Sequence, residues 1–192
     1  MAQEPLLTLL SYLSGSFCME ETISSELIQK GKSFSFYHDK VRLPNGRETD
    51  RNVVKHPGAV GIIAVDEDEI VLINQYRYAT RKYLLEIPAG TLEEGEDPYQ
   101  CAVRELQEET GYAASAWSRL FQCYMVPGYS DEILYFYLAE GLTKLESSPE
   151  DDEDIGVQRY SISEVLEKVE SNEIEDAKTM IGVLSYLTRV TP

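Results

Sequence analysis

The chain has 192 residues, of which 43% are hydrophobic, and a formal net charge of −17. This length predicts one main domain, and the acidic balance excludes nucleic acid and an anionic membrane surface as partners because both repel such a protein. No apolar run reaches the ~18 residues of a membrane span. Three cysteines without a CxxC pair indicate free thiols in a cytoplasmic protein that has neither a disulfide nor a zinc site.

The first 55 residues form a strand-rich segment. We predict a short amphipathic helix at 6–13 and strands at 20–27, 33–43 and 48–55. The Asn45-Gly46 pair between the last two strands is typical of a hairpin turn. We therefore treat residues 1–55 as an N-terminal segment of antiparallel strands.

Residues 56–192 alternate strands with helices. Strands are predicted at 60–65, 70–75, 84–87, 117–124, 133–138 and 156–161. Helices are predicted at 98–110, at 163–170 with Ser163 as the cap, and at 175–188. An acidic loop at 146–154 precedes the last strand. This order predicts an α/β fold in which a mixed sheet lies between helices.

The helix at 98–110 has clear boundaries. Asp97 is a good N-cap, Pro98 suits the first helical position, and Gly111 suits the position after the helix. Five residues at helical spacing predict its buried stripe. They are Tyr99, Ala102, Val103, Leu106 and Thr110.

Three carboxylates lie on one turn of this helix. Glu105, Glu108 and Glu109 are at i, i+3 and i+4, so we expect them on a face away from the buried stripe. Carboxylates this close repel one another. They form either a solvated acidic face or a site for a divalent cation, and carboxylate oxygens suit Mg²⁺ or Mn²⁺.

A longer pattern selects between these alternatives. The spacing G-x5-E-x7-R-E-x-x-E-E-x-G runs from Gly90 to Gly111 without a mismatch, and only Tyr112 replaces a residue that is usually aliphatic. This is the pattern of the Nudix box, so the chain resembles a Nudix hydrolase. The resemblance implies an α/β/α sandwich with a mixed sheet and with the box helix beneath the active site.

Features outside the box resemble the ADP-ribose pyrophosphatase branch of that family. Pro127 lies sixteen residues after Gly111, the run Gln-Tyr-Arg at 75–77 precedes Leu-Glu-Ile-Pro-Ala-Gly at 85–90, and the acidic loop precedes Ile155. Each feature also has a simpler explanation. Pro127 can serve only a turn, Arg77 only a surface ion pair, and the acidic loop only solvation.

The resemblance implies hydrolysis of the pyrophosphate bond of ADP-ribose to AMP and ribose 5-phosphate. It implies that Mg²⁺, with Mn²⁺ as an alternative, is held by four residues, assisted by Glu93 or Glu94. These four are Glu105, Glu108, Glu109 and, through its backbone carbonyl, Ala89.

The resemblance also assigns roles around the metal. Glu153, with Asp151 as the second choice, is expected to deprotonate or orient the attacking water, and Arg104 to pair with box carboxylates. The expected substrate-binding residues are Arg77, Arg51 and Glu132, with Pro127 in the substrate loop. One aromatic residue is expected to stack on the adenine, and the sequence leaves open which of Phe34, Phe36 and Tyr37 it is.

The sequence also leads to expectations about the oligomeric state and about alternative functions. Members of this branch are commonly dimers whose N-terminal strands cross between subunits, so we predict a homodimer. One rival function is hydrolysis of another nucleotide sugar, such as GDP-mannose or ADP-glucose. Another is a catalytically silent regulator that binds ADP-ribose; loss of a box glutamate would indicate it, and none is lost.

Overall fold

The structure is a computed structural model that describes residues 19–145 and 155–190. The helix predicted at 6–13 lies outside the described residues. So does the acidic loop at 146–154, including Asp151 and Glu153, the candidates for the base. These predictions therefore stay predictions.

The N-terminal segment forms a three-stranded antiparallel sheet. Its strands are β1 (Glu21–Lys30), β2 (Ser35–Arg42) and β3 (Glu48–Lys55). Gly46 has φ 83° in the β2–β3 turn, and its N–H donates to the Leu43 carbonyl over 2.8 Å. Glycine is favoured there because other residues rarely adopt positive φ. The predicted hairpin is confirmed, whereas the division into segments 1–55 and 56–192 stays a prediction.

The remaining strands form a second sheet of seven strands in the order β10-β5-β4-β9-β8, with β6 beside β5 and β7 beside β4. They are β4 (Ala59–Asp66), β5 (Glu69–Arg77), β6 (Lys82–Glu86), β7 (Ala89–Thr91), β8 (Tyr112–Tyr124), β9 (Ile133–Lys144) and β10 (Ile155–Ser161). The sheet is mixed because β4 pairs with β9 in parallel, whereas its other pairs are antiparallel.

Within residues 19–145 and 155–190, three helices cover this sheet: α1 (Pro98–Thr110), α2 (Ile162–Glu170) and α3 (Ala177–Val190). Strand β4 lies between two hydrophobic cores, and its side chains point alternately into one and the other. Val60 and Ile62 pack with residues of α1, whereas Ile63 packs with residues of α2 and α3. Helices thus bury both faces of β4, which explains why this strand is apolar throughout. The predicted α/β/α sandwich is confirmed.

Several predicted boundaries were wrong. Helix α2 is capped by Ser161, not Ser163, because Ser161 and Glu164 form a reciprocal capping box. Strand β8 starts at Tyr112, directly after the box helix, and β9 continues to Lys144 as its partner. Among the described residues, no helix has the length and apolar character needed to cross a bilayer.

Candidate active site

A cavity of about 900 Å³ lies between the N-terminal sheet and the box. One wall is the β1–β2 turn, residues 30–35, and another is residues 89–94, which are β7 and the loop after it, together with α1. The lining carries charges of both signs. Its acidic residues are Glu93, Glu94, Glu105 and Glu108, and its basic residues are Lys30, Lys32, Lys55, Arg77 and Arg104. Such a lining suits an anion that arrives with bridging cations.

Helix α1 begins and ends where the sequence predicts. The Asp97 side chain accepts hydrogen bonds from the backbone N–H groups of Tyr99 and Gln100, over 3.0 and 3.3 Å. At the other end, Gly111 has φ 68° and its N–H donates to the Gln107 carbonyl over 2.8 Å. These caps fix the part of the helix that faces the cavity.

The buried stripe of α1 differs from the prediction at Tyr99, Cys101, Glu109 and Val103, of which Val103 is half-buried. Ala102, Leu106 and Thr110 are fully buried as expected. Tyr99 is exposed because it lies in the first turn, where its ring meets Trp117 edge-on at 5.8 Å. Cys101, which was not predicted, is buried instead.

The prediction that Glu109 faces away from the buried stripe was wrong. This residue is only 3% exposed, and its carboxylate accepts a hydrogen bond from the Ala89 N–H over 2.8 Å. A buried carboxylate needs such donors because burial removes its hydration. The Glu109 side chain therefore connects α1 to β7 at Ala89.

Arg104 lies among the box carboxylates. Its Nε and Nη2 donate to the two carboxylate oxygens of Glu96, each over 3.0 Å. Its Nη1 donates to Glu105 over 2.7 Å and to Glu108 over 2.9 Å. These hydrogen bonds raise the pKa of Arg104 and lower the pKa of Glu96 to about 2.

The contacts of Arg104 change the interpretation of the three neighbouring carboxylates. A metal ion is not required to relieve the repulsion between Glu105 and Glu108, because the Arg104 guanidinium already does so. The predicted pairing of Arg104 with box carboxylates is present. It fixes the geometry of the acidic turn from within the chain.

Residues 55–181 match the NUDIX domain family. The chain belongs to the Nudix family. It is also similar to the ADP-ribose pyrophosphatase of Bacillus subtilis, with 44% identity over 167 residues that cover 85% of this chain and 90% of the relative. The family predicted from the box is thus confirmed.

Two further similarities bear on the Nudix assignment. The methanol dehydrogenase activator of Bacillus methanolicus is 41% identical over 172 residues, which cover 88% of this chain and 93% of that protein. A solved structure of an ADP compounds hydrolase superimposes with a TM-score of 0.81 and covers 93% of this chain and 99% of its own. Since its identity is 21%, it shows the fold alone.

Nudix hydrolases depend on divalent metal ions. Within residues 19–145 and 155–190, no three acidic, histidine or cysteine side chains are grouped closely enough to hold one. Glu109 accepts a hydrogen bond from the Ala89 N–H, whereas Glu105 and Glu108 accept hydrogen bonds from Arg104. The donor set nevertheless fits a hard cation, because carboxylate oxygens line the cavity beside the Ala89 backbone.

Arg77 lines the cavity and also forms an ion pair. Its role in substrate binding stays a prediction. Its Nε and Nη2 donate to the two oxygens of Glu86 over 2.8 and 2.5 Å. Glu86 is fully buried, so this pair is not the surface pair that the simpler interpretation supposed. The Arg77 side chain as a whole remains 39% exposed to solvent.

The other predicted substrate-binding residues do not line the cavity of their own chain. Arg51 pairs with Glu20 in the N-terminal sheet over 2.6 Å. Pro127 and Glu132 lie in or beside a turn that is bonded to β3, where the Val54 N–H donates to the Tyr129 carbonyl over 2.7 Å.

Sequence reasoning missed several residues that the fold brings to the Nudix box. Of the three candidate aromatics, Phe34 lines the cavity. Lys30 and Lys32 flank it in the same turn, which no local pattern connects with the box. Glu86 was detectable, because it interrupts an apolar run that leads to the Pro-Ala-Gly run at 88–90, and charged residues are rarely fully buried unless paired.

Proposed function

We propose that this chain is a metal-dependent Nudix hydrolase that cleaves the pyrophosphate bond of ADP-ribose, yielding AMP and ribose 5-phosphate. One observation supports this most strongly: the box is complete, and its acidic turn faces a cavity that also carries basic residues. The 44% identity to an ADP-ribose pyrophosphatase over most of both chains supports the choice of substrate.

In this proposal, Mg²⁺ is the metal, with Mn²⁺ as an alternative. Glu105, Glu108, Glu109 and the Ala89 carbonyl would hold it, assisted by Glu93 or Glu94. When bound, the metal neutralises the diphosphate and makes water a better nucleophile. The Ala89 N–H donates to Glu109, so the acid on α1 lies next to the residue of β7 whose carbonyl would bind the metal.

The chain's other residues bind, orient and move a proton. Arg104 sets the positions of Glu105 and Glu108 through its hydrogen bonds. Arg77 donates to oxygens of the substrate, since its planar guanidinium suits phosphate. Glu153, or Asp151 in second place, takes the proton of the attacking water or orients that water.

The aromatic residue that stacks on the base is Phe34 in this proposal. Phe34 is 53% exposed and lines the cavity, which supports contact between its ring and a planar group there. The flanking lysines of the same turn would attract the phosphates. This places the base end of the substrate at the β1–β2 turn and the diphosphate at the box.

Arg51, Glu132 and Pro127 stay proposed substrate-binding residues. Since they do not line the cavity of their own chain, their role requires a second chain, in line with the proposed homodimer. Support for a homodimer comes from β1, where Ile23, Leu27 and Ile28 are 40%, 48% and 51% exposed. Sedimentation that shows only a monomer at micromolar concentration would reject the dimer.

A cytoplasmic location is supported by the free thiols of Cys101 and Cys123.

A second candidate function follows from the methanol dehydrogenase activator, whose 41% identity is close to the 44% of the pyrophosphatase. Under this candidate the chain would activate a methanol dehydrogenase. The complete box favours hydrolysis as the chemistry in either case. A dehydrogenase assay with and without the chain tests the second candidate, since an unchanged rate would reject it.

A panel of nucleoside diphosphate sugars with Mg²⁺ tests the proposed substrate. The purified chain is incubated with ADP-ribose, ADP-glucose and GDP-mannose, and products are identified by mass spectrometry. We expect ADP-ribose to give the highest kcat/KM. A higher value for GDP-mannose or ADP-glucose would replace the proposed substrate, and tight ADP-ribose binding without products would indicate a silent regulator.

A further inference from the structure

Glu86 is a buried acid next to the cavity that the proposed mechanism does not use. It ends β6, its side chain is 1% exposed, and two cations bond to it. Burial alone would raise the pKa of Glu86, but the hydrogen bonds and charges of Arg77 and Lys178 outweigh burial and lower it. The residue is therefore a carboxylate at neutral pH.

The second cation, Lys178, reaches Glu86 from the first turn of α3. Its Nζ bonds to the same carboxylate oxygen that receives the Arg77 Nη2 bond, and it also lies 3.1 Å from an oxygen of Asp176. Asp176 in turn accepts hydrogen bonds from the backbone N–H and the hydroxyl of Thr179 over 2.9 and 2.6 Å. The cluster has two acids and two bases, so its formal charges cancel.

The same cluster holds the loop that precedes the box. The Thr179 hydroxyl accepts a hydrogen bond from the Ile87 N–H over 2.8 Å, and Thr179 is fully buried. Ile87 lies two residues before Ala89. Helix α3 is thus connected both to the guanidinium at the cavity and to the loop that carries Ala89.

The bonds to Glu86 leave part of the Arg77 guanidinium for another partner. A guanidinium has five N–H groups, and the pair with Glu86 uses one on Nε and one on Nη2. Arg77 lines the cavity, so the groups on Nη1 can serve an anion there. A guanidinium held on one edge by a carboxylate loses less rotamer freedom when it binds a phosphate with the other edge.

We propose that Glu86 and Lys178 are positioning residues that orient the Arg77 guanidinium toward the diphosphate of the substrate. Glu86 accepts hydrogen bonds from one edge of the guanidinium, and Lys178 on α3 fixes the position of the Glu86 carboxylate. The inference rests on the proposed function, in which Arg77 binds the diphosphate. It adds that residues outside the Nudix box, on β6 and on the last helix, determine how tightly this anion is held.

The test measures the binding of inorganic pyrophosphate, in the presence of Mg²⁺, by calorimetry. This probe contains the diphosphate alone, so its binding does not depend on which nucleotide sugar is the substrate. Glu86→Gln should weaken binding about tenfold, as is typical when the partner of a binding group is removed. The same substitution in an Arg77→Ala background should change binding less than twofold, because Glu86 acts through Arg77.

A matched control is the ion pair of Lys82 with Glu175, which also joins β6 to the segment before α3 but is exposed and does not line the cavity. Glu175→Gln should leave pyrophosphate binding unchanged. At Lys178, the Met substitution should weaken binding, and Lys178→Arg should restore it because a guanidinium still donates to Glu86. This pair of variants decides the question if Glu86→Gln does not fold.

Three results would overturn the inference. They are equal effects of Glu86→Gln with and without Arg77, equal binding by the Met and Arg variants at position 178, and no pyrophosphate binding by the unmodified chain. Failure of the proposed function would look different. In that case pyrophosphate binding would still depend on Glu86, but ADP-ribose would not be cleaved.

Discussion

The carboxyl group of Glu105 occupies the space beside Gly90 in which any other residue would carry its Cβ. A Cβ added at Gly90 would lie 1.8 Å from the Glu105 carboxyl carbon and 1.9 Å from the nearer oxygen. Real Cβ atoms do not approach this closely. The close approach joins α1 to strand β7, and it explains why the box needs glycine at this position although its φ is ordinary.

We predict that Gly90→Ala reduces activity more than stability. The group that must move is the end of the Glu105 side chain, which can rotate away, so the fold survives while a proposed metal ligand is displaced. We expect kcat/KM to fall at least tenfold, in line with the loss of a supporting group at a metal site. Thermal unfolding should change by only a few degrees.

Gly46→Ala serves as the opposite control. Gly46 has φ 83° and open space around it, so alanine there strains the backbone without a clash. We expect a loss of about 1 kcal/mol in the free energy of unfolding and unchanged kcat/KM. Equal losses of activity in the two variants would contradict the role given to Gly90.

We predict that Phe34→Ala raises KM for ADP-ribose. Loss of a stacking ring costs about 1–3 kcal/mol per base, so an increase of about tenfold in KM is expected, with kcat nearly unchanged. Phe36→Ala is the control, because Phe36 lies only two residues away, on β2, but does not line the cavity. Steady-state kinetics in which Phe36→Ala has the larger effect would move the base to another position.

Substitution of Arg104 should change thermal stability differently with and without metal. Arg104→Gln removes the cation that Glu105 and Glu108 share, so the metal-free variant should unfold at a lower temperature than the unmodified chain. Added Mg²⁺ should then stabilise the variant more than the unmodified chain, because the ion relieves a larger repulsion. Thermal unfolding with EDTA and with Mg²⁺ measures both effects, and equal stabilisation by Mg²⁺ would count against a metal among these carboxylates.

The lowered pKa of Glu86 predicts how the free energy of unfolding depends on pH. Its pKa in the folded chain is below the ordinary value of 4.5, so its stabilising effect is complete above about pH 4.5 and is lost as the pH falls through the lowered pKa. Glu86→Gln should cost about 3 kcal/mol at pH 7, as expected for breaking a buried ion pair.

Below pH 4.5 the stability of Glu86→Gln should decline less steeply than that of the unmodified chain. Denaturant unfolding between pH 7 and pH 3, without metal, measures both curves. Parallel curves would show that Glu86 is not a buried carboxylate.

Local signals allowed the sequence to predict α1 well. Asp97 and Gly111 define its ends through hydrogen bonds to residues nearby in the chain, and the box spacing identified the family. The burial of Glu109 was not predictable in this way. It depends on the Ala89 N–H, which reaches the helix only because β4 places the loop beside α1.

Long-range arrangement also explains what the sequence left open. Phe34 and its neighbouring lysines lie more than fifty residues before the box, and only the three-stranded sheet places their turn at the cavity. Similarly, Lys178 meets Glu86 across 92 positions of the chain. No periodicity records such a pairing, although a buried acid in an apolar run indicates that some cation must be near.

The most direct test of the account is ADP-ribose hydrolysis by the unmodified chain and by Glu109→Gln, each with Mg²⁺ and with EDTA. We predict that the unmodified chain releases AMP and ribose 5-phosphate only with Mg²⁺, and that Glu109→Gln retains its fold but loses about a thousandfold in kcat. Hydrolysis that persists in EDTA, or near-normal turnover by Glu109→Gln, would contradict it.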